Sequence, residues 1–399
     1  MNHPASSRLE RWIAWPLLCL FVFTIPWEKS IFVAGLGTIT RVLGLALFAA
    51  GAAAAVWRRS VRFPNLALVL ATAFTCWASL SYFWSVEPAD SALRVRTFVQ
   101  LLAMLWLVWD LCRTPGQQRT LIQAYVAGSM VSSVWTIVRY SENLQTYYRR
   151  YAAAGFEPND MALTLALVIP LAMYLALDGH PLARWLYRIA AALAISALLL
   201  TASRTGLVVC TVAFVFAVWT WRKSSLEQKL ANLALLVILV SGTGHFAPPT
   251  SRARLATLPA EATTGTLHQR TQIWAAGLKI IQDHPLLGVG IGGYPEGARP
   301  YLASVGLPNA HYVAHNTYLS VLAECGLIGF AIYALWLLVQ AVYVWALPFA
   351  ERALWSVTLA VWAVGGLALS WEHRKPGWLF LGLVMTAWVR SFGRAGERR

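Results

Sequence analysis

The chain has 399 residues, of which 58% are hydrophobic and only 12% are charged. Soluble domains carry about 25% charged residues, so this chain has too little charge to cover a soluble surface, which excludes soluble dehydrogenases, kinases and nucleic-acid binders. Its 32 Lys and Arg against 17 Asp and Glu give a net charge of +15, and we attribute most of this excess to the cytoplasmic loops of a membrane protein.

Twelve apolar runs follow one another along the chain, and most have the length of about 17–25 residues that crosses a bilayer core. The first run is not followed by a small-residue cleavage site, so we interpret it as an anchored helix rather than a removed signal peptide. The expected fold is therefore an all-α polytopic membrane protein with about 12 transmembrane helices. The predicted spans are 12–27, 36–57, 64–84, 94–112, 118–139, 159–177, 185–202, 204–221, 229–246, 315–345, 353–370 and 377–391.

Basic residues cluster in alternate loops, and this pattern predicts the topology. With the N-terminus in the cytoplasm, the inner loops and the C-terminal tail hold most of the basic residues, whereas an outer loop holds the acidic stretch 87–90. This distribution agrees with the positive-inside rule, so we expect both termini in the cytoplasm. The predicted inner basic residues are Arg58, Arg59, Arg62, Arg113, Arg119, Arg184, Arg188, Arg222, Lys223, Lys229, Arg390, Arg394, Arg398 and Arg399.

One connection is far longer than the others. Residues 1–246 are expected to hold helices one to nine, residues 247–314 an outer loop, and residues 315–399 helices ten to twelve. A loop this long in a compact protein is typically functional. It contains an amphipathic stretch from His268 to Asp283 and then a run rich in glycine and proline. The predicted apolar face of the amphipathic helix comprises Ile273, Trp274, Gly277, Leu278 and Ile281.

Several arginines fall on the predicted outer side, where positive-inside sorting does not explain them. Arg204 follows Ser203 at the outer start of the eighth span. Its guanidinium either snorkels to the interface or forms an anion site together with the N–H groups of the helix N-terminus. Arg270 opens the amphipathic helix and would direct that helix's N-terminus at the same target. The other predicted outer arginines are Arg139, Arg149, Arg150, Arg252, Arg254 and Arg299.

Two ionisable residues mark the tenth span. His315 begins it, with Asn316 beside it and His311 four residues earlier. A helix N-terminus and nearby arginines both disfavour imidazolium, so His315 is either a packed residue or a neutral imidazole that accepts a proton. Glu324 lies deeper in the same span, and we interpret it as a buried polar tie to a neighbouring helix, with a proton relay as the alternative.

Four segments carry motifs in a fixed order. They are Gly155 to Ala162, similar to G-x-x-x-P-N-x-x-A; Ser203 to Gly206, S-R-T-G; Arg270 to Trp274 with His284 to Gly290, R-x-x-x-W and H-P-x-x-G-x-G; and His315 to Gly329, H-N-x-x-L-x(4)-E-x-G-x-x-G. Together they resemble the O-antigen ligase and O-antigen polymerase superfamily. The resemblance covers roughly residues 155–330, and the order of the four motifs is more specific than any one of them.

The resemblance implies a glycosyltransferase of the GT-C-like, multi-span class in the bacterial inner membrane, with its active site facing the periplasm. Ligases of this superfamily move a glycan from undecaprenyl diphosphate onto the lipid A–core oligosaccharide. One dominant outer loop looks more like a ligase than a polymerase. The partners it implies are the undecaprenyl-diphosphate-linked glycan donor, the lipid A–core acceptor and membrane lipid, with no nucleic acid.

The residues and the resemblance together give a candidate site. The chain has no Asp-x-Asp motif and its five cysteines lack metal spacing, so we expect neither a metal nor a cofactor. Arginines would then stabilise the diphosphate leaving group, and His315 would act as general base in a displacement that inverts the anomeric centre. The residues expected to bind diphosphate or substrate are Arg204, Arg270, Arg139, Asn159, Asn316 and His311.

Two alternatives remain open at this point. An O-antigen polymerase would join lipid-linked repeat units to each other with the same chemistry. A transporter of lipid-linked oligosaccharide would also be basic and polytopic, but the repeated halves or broken helices expected of a transporter are not apparent in the sequence.

Overall fold

The computed structural model describes residues 8–146, 150–241, 269–307 and 311–396, most of which lie in helices. One two-stranded antiparallel hairpin, β1 (Phe32–Val33) with β2 (Gly37–Thr38), follows the first helix. The helices are α1 (Trp15–Thr24), α2 (Ile39–Arg58), α3 (Leu66–Leu80), α4 (Pro88–Leu111), α5 (Pro115–Ser141), α6 (Pro158–Leu175), α7 (Pro181–Leu200), α8 (Arg204–Ala213), α9 (Val215–Thr220), α10 (Leu226–Ser241), α11 (Arg270–Asp283), α12 (Tyr294–Ala303), α13 (Thr317–Trp345), α14 (Phe349–Gly366) and α15 (Lys375–Gly396). Among the arginines named from the sequence, those outside the described residues are Arg149, Arg252, Arg254, Arg398 and Arg399.

Eight helices of the described residues are long and apolar enough to cross a membrane. They coincide with eight of the predicted spans, which confirms a mostly helical, polytopic membrane protein. The other four predicted spans fall on α1, α10, α14 and α15, which are not among these eight, so the count of twelve remains a prediction. The eight are Ile39–Arg58, Leu66–Trp84, Pro88–Leu111, Pro115–Ser141, Pro158–Leu175, Pro181–Leu200, Arg204–Lys223 and Thr317–Trp345.

Helix α6 is the most buried of these spans, because 89% of its membrane-length window is covered by protein. Its sequence is apolar on nearly every face, which is typical of a helix surrounded by other helices. It packs against α5, α7, α8 and α14. The first turn of α6, which begins at Pro158, therefore lies among the ends of several helices.

Helix α13 is broken at Gly326, where the backbone has φ 66° and ψ −174°. A Cβ atom at this position would lie 2.2 Å from the carbonyl oxygen of Leu286, so both the left-handed backbone and the close contact require glycine. The sequence analysis found no broken helix, since the apolar run continues on both sides of Gly326. This expectation was wrong for the tenth span.

The glycine-rich segment 285–290 fills the break. A break at membrane depth leaves backbone groups without helical partners, and these groups must find others within the protein. The amides of Val289 and Gly290 donate to the carbonyls of Ala323 and Glu324, at 3.0 and 2.9 Å. Beyond the break, Leu327 N donates to Pro285 O at 2.9 Å, and Trp77 Nε1 donates to Cys325 O at 2.9 Å. The segment is thus built into the helix rather than lying on its surface.

Helix α11 confirms the predicted amphipathic stretch but not its whole apolar face. The buried positions are Ile273, Ala276, Gly277 and Ile280, which follow the helical spacing of i, i+3, i+4 and i+7. Leu278 is 57% exposed. It lies about 140° around the helix from Ile273, so its assignment to the buried face was wrong.

On the predicted cytoplasmic side, Arg58 is not a loop residue but the buried last residue of α2. Its side chain is 2% exposed and bonds to the carboxylates of Glu10 (2.8 Å) and Asp110. A buried guanidinium needs such partners because an unpaired charge is costly to desolvate. This cluster ties the start of the chain, α2 and α4 together on one side of the bundle.

Candidate functional site

A cavity of about 1080 Å³ lies where the starts of α6, α8 and α11 meet the segment before α13. Four residues predicted from the sequence line it: Asn159, Arg204, Arg270 and His315. They come from distant parts of the chain, so their convergence is a property of the fold. The structure thus brings both predicted clamp arginines and the predicted base to one site.

Arg204 is the first residue of α8, and its position is fixed by the preceding serine. Ser203 Oγ accepts a hydrogen bond from Gly206 N at 3.0 Å, so Ser203 caps the helix. At Gly206 a Cβ would lie 2.6 Å from Ala162 Cβ, which shows how closely α8 approaches α6. Because the Gly206 amide is already bonded to Ser203, the α8 N-terminus offers fewer N–H donors to a ligand than the sequence suggested.

Arg270 begins α11, and this helix start has no side-chain cap. Gln269 precedes it with a left-handed backbone at φ 67°, and its Oε1 accepts from the hydroxyl of Tyr312 at 2.7 Å. The Trp274 Nε1 group donates to the carbonyl of Ala314 at 3.0 Å. These bonds fix the first turn of α11 against the residues that precede His315.

His315 lies just before α13 and adopts a left-handed backbone at φ 47°. Burial lowers the pKa of its imidazole, the charge of Arg270 lowers it further, and the charge of Asp160 opposes both. The imidazole is therefore neutral near pH 7 and able to accept a proton. The sequence argument named the helix end and the arginines, whereas burial is the larger cause.

Asn159 is the hydrogen-bonding centre of the cavity wall. Its Oδ1 accepts from Arg150 Nη2 and from Ser203 Oγ, each at 2.8 Å. Its Nδ2 donates to Glu157 Oε1 at 2.8 Å. Asn159 therefore connects the starts of α6 and α8, and these bonds leave its amide less available to a substrate.

The sequence analysis did not single out two further cavity residues, Arg150 and Glu157. Arg150 is buried, and its Nε donates to Thr201 O at 2.8 Å. Glu157 caps α6 by accepting from Asn159 N and Asp160 N, at 2.7 and 3.1 Å. Burial raises the pKa of Glu157, and Arg150 opposes this shift. Arg150 was noted as an outer arginine, but nothing in its spacing set it apart from the others.

The other three predicted substrate-binding residues, Arg139, Asn316 and His311, do not line this cavity. Asn316 caps α13, because its Oδ1 accepts from Tyr318 N and Leu319 N at 3.0 and 3.1 Å. His311 is 63% exposed, with Nε2 3.9 Å from a carboxylate oxygen of Asp90. Arg139 lies in the last turn of α5.

Glu324 is buried next to the break in α13. Its Oε2 accepts from Gly292 N at 2.9 Å and its Oε1 from Tyr294 N at 3.4 Å. The carboxylate therefore binds the glycine-rich segment and the first residue of α12, which agrees with the buried polar tie to a neighbouring helix that the sequence favoured. Within the described parts of the chain, no three His, Cys, Asp or Glu side chains group closely enough to hold a metal ion.

Together, the fold and the cavity define a polytopic membrane protein with an arginine- and histidine-lined cavity at the ends of its spans. Residues 189–334 match the family model described as O-Antigen ligase. The chain is 26% identical over 345 residues to the O-antigen ligase of Pseudomonas aeruginosa, covering 82% of this chain and 79% of that protein. These matches confirm the resemblance to the O-antigen ligase family that the motifs predicted.

A second curated relative is the exopolysaccharide production protein ExoQ of Rhizobium meliloti. It is 25% identical over 267 residues, which cover 64% of this chain. The chain spans 60% of the length of that relative. The name of one relative refers to O-antigen and that of the other to exopolysaccharide.

Proposed function

We propose that the protein is a glycosyltransferase that moves an O-antigen glycan from undecaprenyl diphosphate to the lipid A–core oligosaccharide at the periplasmic face of the inner membrane. One observation carries this proposal: Arg204, Arg270 and His315 line the same cavity. Two arginines that can bind an anion beside a neutral base suit glycosyl transfer from a lipid diphosphate.

The reaction is a direct displacement at the anomeric carbon. A hydroxyl oxygen of the acceptor sugar forms the new bond to that carbon, and the bond from the carbon to the phosphate oxygen breaks. The hydroxyl proton passes to the imidazole of His315, and undecaprenyl diphosphate leaves with the bonding electron pair. Because the nucleophile attacks opposite to the leaving group, the anomeric configuration inverts.

The arginines stabilise the negative charge that develops on the departing diphosphate. A guanidinium presents a planar fork of donors that matches two phosphate oxygens at once. Arg150 lies in the same wall and adds positive charge, while its bonds to Asn159 and Thr201 suit it to holding the wall in place. A diphosphate is a good leaving group, so no general acid is needed.

An alternative is an O-antigen polymerase, which would use the same site but take a second lipid-linked repeat unit as acceptor. This alternative is supported by the similarity to ExoQ, which is named as an exopolysaccharide production protein. Deleting the gene and separating the lipopolysaccharide on a gel distinguishes the two. Loss of a ligase leaves bare core, whereas loss of a polymerase leaves core carrying one repeat.

The transferase itself is tested with the purified protein in detergent, labelled lipid-linked glycan and lipid A–core acceptor. We expect labelled product under these conditions. A transporter of lipid-linked oligosaccharide needs a sealed bilayer and would make no product in detergent. The absence of product from folded protein would therefore contradict the proposal.

A further inference from the structure

A second polar cluster lies beside the cavity, centred on the buried carboxylate of Asp160. This residue is in the first turn of α6, next to Asn159. Its Oδ1 accepts from Trp371 Nε1 at 2.9 Å. Its Oδ2 accepts from Arg374 Nη2 at 2.7 Å and from Lys29 Nζ at 3.2 Å. One carboxylate thus joins α6 to two connecting segments, one after α1 and one between α14 and α15.

The segment between α14 and α15 also holds the start of α13. Trp371 N donates to Thr317 Oγ1 at 2.8 Å, and that hydroxyl donates to Leu369 O at 2.7 Å. Thr317 is the first residue of α13 and follows His315 by two positions. A left-handed non-glycine residue such as His315 persists only where its surroundings fix it. The contacts from Asp160 through Trp371 to Thr317 supply that constraint.

We propose that Asp160 is a positioning residue for His315: it holds the 371–374 segment against the start of α13 and places a negative charge next to Asn159, which lines the cavity together with His315. This proposal deepens the proposed function, on which it rests for its activity readout. It does not make Asp160 a catalytic residue, because Asp160 does not line the cavity.

The charge effect has a definite sign. Asp160 raises the His315 pKa, and Arg270 lowers it. Asp160→Asn removes the negative charge and leaves the two cations that bind the carboxylate unbalanced, so both changes move the imidazole pKa downward. Other charged or titratable groups in this region include Arg150, Glu157 and Arg204 in the cavity wall, Lys29 and Arg374 around the carboxylate, and Glu372 and His373 in the 371–374 segment.

The test follows modification of His315 by diethyl pyrocarbonate, which reacts with neutral imidazole. The purified full-length protein is treated in detergent without substrate, and the His315 peptide is quantified by mass spectrometry as a function of pH. In Asp160→Asn we expect the pH midpoint of His315 modification to move to lower pH. An unchanged midpoint would overturn the proposal. Because no transferase activity is measured, this result stands or falls separately from the proposed function.

Glu28→Gln is the matched control. Glu28 forms an ion pair with Lys375, so it joins the segment after α1 to the first residue of α15, and this ion pair does not involve α6. In Glu28→Gln we expect the pH midpoint of His315 modification to equal that of the wild type. A shift as large as that of Asp160→Asn would show that loosening these segments is enough, and the proposed charge effect would be wrong.

Arg374→Gln is the variant to use in the same modification experiment if Asp160→Asn does not fold. It removes a positive charge from the same cluster, so the His315 midpoint should move to higher pH, opposite to the shift in Asp160→Asn. A shift to lower pH, or none, would contradict the proposal.

Trp371→Phe separates positioning from charge. It removes the Nε1 donor and keeps the carboxylate, so the His315 midpoint should stay unchanged. In the transfer assay, kcat should fall about tenfold to a hundredfold, as for loss of other orienting partners, with the donor KM unchanged. Full kcat in this variant would overturn the positioning role. If the wild type itself transfers no glycan, the proposed function fails while the modification result remains valid.

Discussion

Arg204 and Arg270 each begin a helix and line one cavity. Two fixed guanidinium groups can hold two phosphates in a bidentate manner, and the geometry of each fork decides how well they do so. A lysine carries the same charge on a flexible stem but offers no fork. If these side chains only snorkel to the interface, lysine would serve equally well.

We therefore predict that Arg204→Lys and Arg270→Lys each lower turnover of the lipid-linked donor by about tenfold or more. The matched control is Arg299→Lys, since Arg299 is 54% exposed and pairs with Glu296 at 2.6 Å. Each rate is measured with and without EDTA, and chelation should not change it. Near-normal rates in both site variants would refute the clamp, and loss of activity in EDTA with rescue by a divalent ion would replace it with a metal site.

The lowered pKa of His315 predicts the pH dependence of the reaction. A general base works in its neutral form, so kcat/KM should rise with pH through the His315 pKa, with a midpoint below about 6.5, the ordinary pKa of imidazole. Arg270→Gln removes a cation that lowers this pKa, so the rise should move to higher pH. The profile of Arg299→Gln should match the wild type. An unshifted profile in Arg270→Gln would exclude His315 as the titrating group.

At the scale of the residue, the sequence predicted the arginines and the histidine that line the cavity better than it predicted the positions of the other polar side chains. Arg204 and Arg270 could be found because positive-inside sorting does not explain arginines at outer helix starts, and His315 because it follows a long outer loop. The roles of Asn316 and His311 could not be found this way. Whether a polar side chain caps a helix or faces a cavity depends on backbone angles and on distant neighbours.

At the scale of the element, the central feature is the break in α13, the helix that begins just after His315. The glycine-rich segment packs into this break. The segment 285–290 pairs with the backbone on both sides of Gly326, and Glu324 binds the start of α12. The Glu324 carboxylate therefore fixes the start of α12 to α13, and main-chain bonds fix the segment 285–290 to the same span. Such bonds demand close backbone approach, which only small residues permit.

We predict that Gly326→Ala destabilises the protein by about 2–5 kcal/mol, the sum of a left-handed strain and an overpacking cost. Gly306→Ala is the matched control, because Gly306 also has a positive φ (85°) but nothing within 4 Å of its Cβ position. It should cost only about 1–2 kcal/mol. Thermal unfolding in detergent, followed by tryptophan fluorescence, measures both. Equal losses in the two variants would mean that the close contact with Leu286 contributes nothing.

Hydropathy predicted where the helices lie but not this break. An apolar run has the same composition whether its helix is continuous or interrupted, and the partner segment 285–290 comes from another part of the chain. The face of α11 illustrates a smaller error of the same kind. Leu278 is apolar, yet the helical repeat places it away from Ile273 and Ile280, which are the buried positions.

At the scale of the whole molecule, a periplasmic location of the cavity requires that the loops around it lie on the outer side of the membrane. Arg58 is unsuited to a labelling test because it is buried between two carboxylates. Arg222 and Lys279 are exposed, and the predicted topology places Arg222 in the cytoplasm and Lys279 in the periplasm.

We therefore predict that Lys279→Cys, and not Arg222→Cys, reacts with a membrane-impermeant thiol reagent in intact spheroplasts. Both substitutions are made in a variant that lacks the five native cysteines. After lysis both sites should react, which controls for accessibility. Labelling of position 222 before lysis would overturn the span assignment and the outer location of the cavity.

The most direct test of the central claim is a single-turnover transfer assay of His315→Asn in detergent. Asparagine tolerates the left-handed backbone at this position, so the variant keeps the local fold and removes the base. We predict a rate lower by about 10²–10⁴-fold, with unchanged binding of the lipid-linked donor. A transfer rate equal to that of the wild type, at equal protein concentration, would contradict the account.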